Sequence, residues 1–304
     1  MSNAYFKTEK ASTNVRFNMF RQALVHSLVS LAWSLAPGMT QRLLLRLFST
    51  PQAYKTSAAE AACLGRGQPF QVPVNGNRIK AWKWGRGPGV FMLHGWNGRG
   101  VQFQAFVEPL VAAGYTAIAL DGPAHGESGG RYTNYFDFSD TARAFLAPGL
   151  GLDIRAVVGH SFGAAALINA LAKDRHTVPA FFISPVLRLR ELFVGAARQL
   201  GVSAKIIEQM IETFEAQYDY SLTEDNPIRL LKQLSVPILI AHDTEDHTIS
   251  INDSKQQARA NDTVDLLATH GLGHRRILSD PAVIEAGIDH IQSHRSMNEH
   301  PKTA

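Results

Sequence analysis

The chain is constrained above all by a rhythm. From Gly89 to Ile183, short apolar runs alternate with segments of helical periodicity. Gly89-Val90-Phe91-Met92-Leu93-His94, Tyr115 to Leu120, Ile154 to Val158 and Ala180 to Ile183 are apolar at nearly every position. Between them, Gln102 to Ala113 sets Phe103, Phe106, Leu110 and Val111 on one helical face, and Phe136 to Leu146 and Ser161 to about Lys173 also read as helices. A strand with no polar alternation is buried on both faces. Strands of that kind separated by helices pair in parallel. The pattern predicts an α/β fold with a doubly wound, mostly parallel sheet.

The flanking regions follow other patterns. Phe70 to Val74 and Arg78 to Trp84 enclose Asn75-Gly76-Asn77, the signal of a β-hairpin. Between Pro185 and Leu234 the strands stop: Leu189 to Leu200 and Lys205 to Phe214 read as helices, and Asn226-Pro227 opens another. Strand runs resume at Val236 to Ala241 and Val264 to Leu267, and a last helix covers about Pro281 to Ser293. A helical insertion between core strands is a natural lid over their carboxyl ends, with Leu192, Phe193, Leu200 and Ile206 as its apolar wall. The expected organisation is a helical N-terminal extension (1–65), a first part of the core (66–186), a helical lid (187–234), a second part of the core (235–294) and a loose polar tail (295–304).

Charge and cysteine content exclude some roles. A net charge of +4 with no dense lysine–arginine cluster argues against nucleic-acid binding. The lone Cys63 rules out an internal disulfide and a cysteine-based zinc site, and fits a reducing, cytoplasmic setting. Residues Gln22 to Ala36 are uncharged and follow Lys7, Lys10, Arg16 and Arg21. Two amphipathic helices packed on the main domain are the favoured reading. A signal or anchor within residues 1–36, giving a secreted or membrane-associated protein, is the alternative, as is contact of residues 17–48 with a membrane surface. Nothing in the sequence sets the oligomeric state.

The chemistry centres on Gly159-His160-Ser161-Phe162-Gly163. This G-x-S-x-G pentapeptide lies between a strand and a helix, the context of a nucleophile elbow. There the serine is held at strained φ and ψ in a turn that tolerates only small neighbours. Its hydroxyl stands at the start of a helix, whose positive end and Phe162 amide face a developing oxyanion.

With three further motifs, residues from about 70 to 294 resemble the α/β-hydrolase superfamily. The motifs are His94-Gly95-Trp96 after a strand, Asp121-Gly122-Pro123-Ala124-His125-Gly126-Glu127-Ser128 after the next, and the loops His242 to Ile249 and His270-Gly271-Leu272-Gly273-His274. The resemblance implies a second oxyanion donor in the backbone N–H of Trp96, and a chain order of serine, acid, histidine. It assigns the acid to Asp246, with Asp243 and Glu245 as poorer candidates, and the base to His274, with His270 as fallback. His94, Gly95, His125 and His160 are expected to line the site, and His247 to lie on the surface beside the acid.

No G-x-G-x-x-G follows a strand, and glycines separate His270 from His274, so neither a cofactor nor a metal is expected. The implied activity is hydrolysis of a small hydrophobic ester or thioester through an acyl-enzyme on Ser161. Lactone or carbon–carbon bond hydrolysis, perhydrolysis, and a non-catalytic binding role on the same scaffold are the alternatives.

Overall fold

A computed structural model describes residues 24–199, 201–218 and 220–294. The elements in chain order begin with helices α1 (residues 24–35), α2 (Pro37–Ser49) and α3 (Ala58–Arg66). Strands β1 (Gln68–Val74), β2 (Asn77–Trp84) and β3 (Gly89–Leu93) follow, then α4 (Gln104–Ala112), β4 (Thr116–Leu120), α5 (Tyr135–Leu146), β5 (Ile154–His160), α6 (Phe162–Lys173) and β6 (Ala180–Ile183). Helices α7 (Leu189–Gln199), α8 (Ala204–Tyr218) and α9 (Pro227–Leu230) precede β7 (Ile238–Asp243), α10 (Asn252–Ala260), β8 (Val264–Thr269), α11 (Gly273–Arg276) and α12 (Pro281–Ser293). The tail expected at 295–304 lies outside the described residues, as do Lys7, Lys10, Arg16 and Arg21.

The eight strands form one sheet in the order β1-β2-β4-β3-β5-β6-β7-β8. The first two pairings are antiparallel and the other five parallel. Every residue of β3, β4 and β6 is buried, and neighbouring residues face opposite sides, as the strand period of two requires. Phe91 and Phe182 join Phe138, Phe145 and Leu167 on one face, while Met92 and Phe181 join Phe106, Val283 and Ile288 on the other. The hairpin turns through Asn75 (φ 47°) and Gly76 (φ 77°), a pair of left-handed residues matched to the strand twist.

Register sets the place of the chemistry. Leu93 pairs with Gly159, His160 with Ile183, Ile183 with Ala241, and Asp243 with Thr269. The loops leaving β3, β5, β7 and β8 therefore emerge at one edge of the sheet, at the strands' carboxyl ends.

Some boundaries differ from the sequence reading. The helix expected from Gln102 begins at Gln104, after a short 3₁₀ turn over Gly100–Phe103. Gly100 packs so closely on Leu120 that a Cβ would come within 2.8 Å of the Leu120 carbonyl oxygen, and its N–H goes to Asp121 Oδ1 at 2.8 Å. The helix expected at Ser161 starts one residue later, because Ser161 has φ 53°. The second helix of the insertion runs on to Tyr218, and the last strand to Thr269, where it meets Asp243.

The chain divides into two compact units. One joins the residues up to Phe48 with Leu189–Thr223, and the other is the sheet with its helices, Ser49–Arg188 and Glu224 onward. Within the first, the Gln41 amide donates to the Gln209 carbonyl at 3.2 Å and to Thr213 Oγ1. The Phe193 ring lies 5.1 Å from that of Phe48 and 6.4 Å from that of Phe214, centroid to centroid. Ile206 is buried and Leu192 exposed, while Leu200 lies outside the described residues.

Candidate active site

Ser161 ends the turn between β5 and α6 with φ 53° and ψ −115°, a conformation that L-residues adopt only under constraint. Three backbone contacts hold it there: its N–H donates to the Ile183 carbonyl at 2.9 Å, and its carbonyl accepts from Val186 at 3.2 Å and from Ala165 at 3.3 Å. The turn has no room at its flanks. A Cβ on Gly163 would sit 2.2 Å from the Leu93 carbonyl oxygen, and one on Gly159 would sit 2.6 Å from Ala164 Cα.

Three side chains form a line across this edge. Ser161 Oγ lies 3.0 Å from His274 Nε2, and His274 Nδ1 lies 2.6 Å from Asp246 Oδ2. Asp246 Oδ1 accepts the N–H groups of Thr248 and Ile249 at 2.8 and 2.9 Å. Burial alone would raise the Asp246 pKa. Hydrogen bonds from His242, His274 and the Ile249 amide outweigh it and hold the carboxyl well below the usual range. An ionised Asp246 fixes the proton of His274 on Nδ1, which leaves Nε2 free to accept from the Ser161 hydroxyl.

The other candidates sit elsewhere. Asp243 is buried and does not bond to His274. Its Oδ2 accepts from Thr269 Oγ1 at 2.8 Å and from the Leu272 amide at 3.0 Å, and its Oδ1 from the Glu245 amide at 2.9 Å. Burial opposes its ionisation, but these donors lower its pKa to about 2. Asp243 thus clamps the loop that delivers His274. His270 is exposed and paired with Glu245 at 3.3 Å and Thr244 at 3.1 Å, and His247 is exposed.

The histidines around this line act as fixed, neutral staples. Gly122 N–H donates to His94 Nε2 at 2.8 Å, so the proton of that ring is on Nδ1, which donates to the Gly95 carbonyl at 2.7 Å. His125 repeats the scheme: it accepts from Asn97 N–H at 3.1 Å and donates to the Pro123 carbonyl at 2.8 Å. Both rings therefore tie the loop after β3 to the loop after β4. His160 Nε2 donates to the His274 carbonyl at 2.9 Å, and its buried Nδ1 has no partner. Gly95 lies against Ser161 and His160, since a Cβ there would meet Ser161 Cβ at 2.9 Å and His160 Nδ1 at 3.2 Å. The Trp96 ring packs edge-on to His125 and Phe162, each at 5.4 Å. Phe162 N–H is the first of helix α6, a position with no acceptor inside its own helix.

Burial keeps all three rings uncharged: it drives His94 well below the ordinary imidazole range, His125 down to about 4 and His160 to about 3. In the unfolded chain the same histidines take up protons near pH 6.5. The folded pKa is the lower one, so the stability contribution is complete above about pH 6.5 and is lost as pH falls toward 4 and 3. The melting temperature should therefore drop steadily between pH 7 and 4.5. A flat profile over that range would contradict the neutral-staple assignment.

His242 was not singled out by sequence. It is fully buried near the end of β7, with Nδ1 2.8 Å from Ser254 Oγ and Nε2 3.0 Å from the Ile249 carbonyl and 3.4 Å from Asp246 Oδ2. The available signal was a polar pair, His242-Asp243, closing an otherwise apolar strand four residues before Asp246.

A strap from the segment before β1 holds the loop after β3. Gln52 N–H donates to Asn97 Oδ1 at 2.8 Å. Arg99 donates to the carbonyls of Tyr54 and Lys55 at 2.7 and 3.0 Å, and pairs with Glu60 at 2.9 Å. Glu60 in turn closes the capping box of α3 with Ser57. A cavity of about 220 Å³ lined by Tyr54, Lys55, Asn97, Arg99, Gln102 and Arg275 lies along this strap.

An eight-stranded, mostly parallel sheet that gathers the loops after β3, β5, β7 and β8 at its carboxyl edge defines the α/β-hydrolase class of fold. The chain belongs to the alpha/beta hydrolase family, whose model matches residues 90–286, well over half of its length. A non-haem chloroperoxidase of Kitasatospora aureofaciens is 39% identical over 109 residues, which cover 34% of this chain and only 38% of that relative's length. An esterase of Pyrococcus furiosus shares the fold with a TM-score of 0.59 at 17% identity, over 82% of this chain and 97% of the esterase. A membrane phospholipase A described as a bacterial virulence factor has a TM-score of 0.59 at 16% identity, over 91% of this chain and 99% of its own.

Proposed function

We propose that the protein hydrolyses carboxylic esters or thioesters through an acyl-enzyme on Ser161. The observation that carries this reading is the line of hydrogen bonds from Ser161 Oγ to His274 (3.0 Å) and from His274 to Asp246 (2.6 Å) behind a serine at φ 53°. Ser161 Oγ attacks the acyl carbon while its proton passes to His274 Nε2. Asp246 stabilises the imidazolium and does not itself take the proton. The N–H groups of Trp96 and Phe162 hold the oxyanion, with the positive end of α6 behind the second. As the tetrahedral intermediate collapses, the leaving alkoxide or thiolate takes the proton from His274. Water, deprotonated by the same ring, then frees the acid and restores Ser161.

The likeness to an esterase and a phospholipase supports an ester substrate. Perhydrolysis is a second reading, favoured by the chloroperoxidase relative. In it hydrogen peroxide takes the place of water on the acyl-enzyme and leaves as a peracid.

The test is a series of p-nitrophenyl esters of rising acyl length together with fluorophosphonate labelling. The expected results are turnover with a preferred chain length, and a covalent adduct on the peptide that contains Ser161. Adding hydrogen peroxide distinguishes the two readings, because only perhydrolysis yields peracid at the expense of carboxylate. No turnover and no adduct would count against both.

A further inference from the structure

The charge of the chain is segregated. Residues 1–48 hold six basic side chains (Lys7, Lys10, Arg16, Arg21, Arg42 and Arg46) and a single acid, Glu9, for a net +5, whereas the rest of the chain is net −1. The same end carries most of the exposed large hydrophobic side chains among the described residues. Of the eleven large hydrophobic side chains exposed among the described residues, eight lie between Leu24 and Leu47.

Their spacing makes a face. In α1, Leu24, Leu28, Leu31 and Leu35 fall within about 60° of the helix circumference at about 100° per residue. Leu35 is 76% exposed. Met39, Leu43 and Leu47 continue the series in α2 at intervals of four, with Met39 72% and Leu43 67% exposed. Helix α2 has a separate inward side, on which Thr40 and Leu44 are buried. Its exposed leucines are therefore a second apolar face, distinct from the one that packs. Arg42 and Arg46 are exposed along the edge of this second face.

We propose that the face formed by α1 and α2 docks on the surface of an anionic lipid bilayer. Proteins seldom leave a contiguous apolar stripe to water. A leucine-rich face bordered by arginines matches the boundary between acyl chains and headgroups, where the leucines insert and the arginine stems reach up to the phosphates. The exposed Arg42 and Arg46 at the edge of the face, within a segment of net +5, favour an anionic surface and oppose a second copy, which would bring like charges together. Among the described residues, no helix is long and apolar enough to cross a membrane, so the helices lie along it. This docking is independent of the proposed ester chemistry.

The experiment is co-sedimentation of the full chain with phosphatidylcholine vesicles with and without about 30 mol% phosphatidylserine, at about 0.1 and 1 M salt. The protein should pellet with the anionic vesicles at low salt, and partitioning should fall about tenfold or more on neutral vesicles or at high salt. Combined Leu28→Ser, Leu31→Ser and Leu35→Ser substitutions should lower partitioning about tenfold or more, with unchanged circular dichroism and Tm. Arg42→Glu with Arg46→Glu should weaken binding to the anionic vesicles only. The proposal is overturned if the wild type stays in the supernatant, or if both variants partition like the wild type. It is also overturned if lipid-free sedimentation equilibrium finds a dimer that the serine substitutions dissociate.

Discussion

Replacing Ser161 with alanine is expected to lower kcat on a p-nitrophenyl ester by about four to six orders of magnitude while moving Tm by no more than a few degrees. The separation of the two effects follows from how Ser161 is held. Its backbone N–H and carbonyl are bonded to Ile183, Val186 and Ala165, and none of these contacts involves the hydroxyl. Among the described residues the hydroxyl's hydrogen-bond partner is His274 Nε2, so the substitution removes the proposed attacking oxygen and leaves the turn in place. Stopped-assay rates and a thermal melt on the same preparation check both halves. Residual turnover above about a tenth of wild type would mean that another group carries the reaction.

Asp246→Asn is expected to lower kcat by about 10⁴-fold with the protein still folded. Asp246 Oδ1 is committed to the Thr248 and Ile249 amides, so in the variant the carboxamide oxygen takes that position and the NH₂ group faces His274 Nδ1. Two donors then oppose each other. The ring must move its proton to Nε2, where it can no longer accept from Ser161. His242 Nε2, 3.4 Å from the same oxygen, loses an acceptor as well. Asp243→Asn provides the contrast, because its partners are Thr269 and the backbone of the His274 loop. It should cost mainly Tm, with a much smaller fall in kcat. Parallel kinetics and melts of the two variants decide the matter, and equal kcat losses would refute the division of roles.

The sheet was legible because its strands are buried on both sides. Runs such as Val90 to Leu93 and Phe181 to Ile183 have no polar alternation to mislead, and the Asn75-Gly76 turn has a local chemistry of its own. Where a boundary depended on a distant partner, periodicity missed it: α4 starts late because Gly100 packs on Leu120, and β8 runs on because Thr269 meets Asp243. The site follows the same rule. Motif order and neighbours single out Ser161, Asp246 and His274, although 113 residues separate the serine from the histidine. Choosing between Asp243 and Asp246, or between His270 and His274, takes distances, and these come only from the strand register. The support from His242 and the tautomers of His94 and His125 depend on backbone groups that no side-chain pattern encodes. The grouping of the residues up to Phe48 with Leu189–Thr223 is likewise a tertiary fact.

The strap running from Gln52 to Glu60 bears on what counts as the inheritable unit of this protein. The match to the family model opens at residue 90, yet the loop after β3 leans on carbonyls and a carboxylate some forty residues earlier, at Tyr54, Lys55 and Glu60. Ser49 is bound in as well, its carbonyl accepting from Thr133. A lineage that shortened or exchanged this leader would leave every strand intact and still release Asn97 and Arg99, one and three residues beyond Trp96. Drift in the leader and in that loop should therefore be correlated, and a chimaera joined ahead of Ser49 should keep the strap whole where one joined at the first strand would cut it.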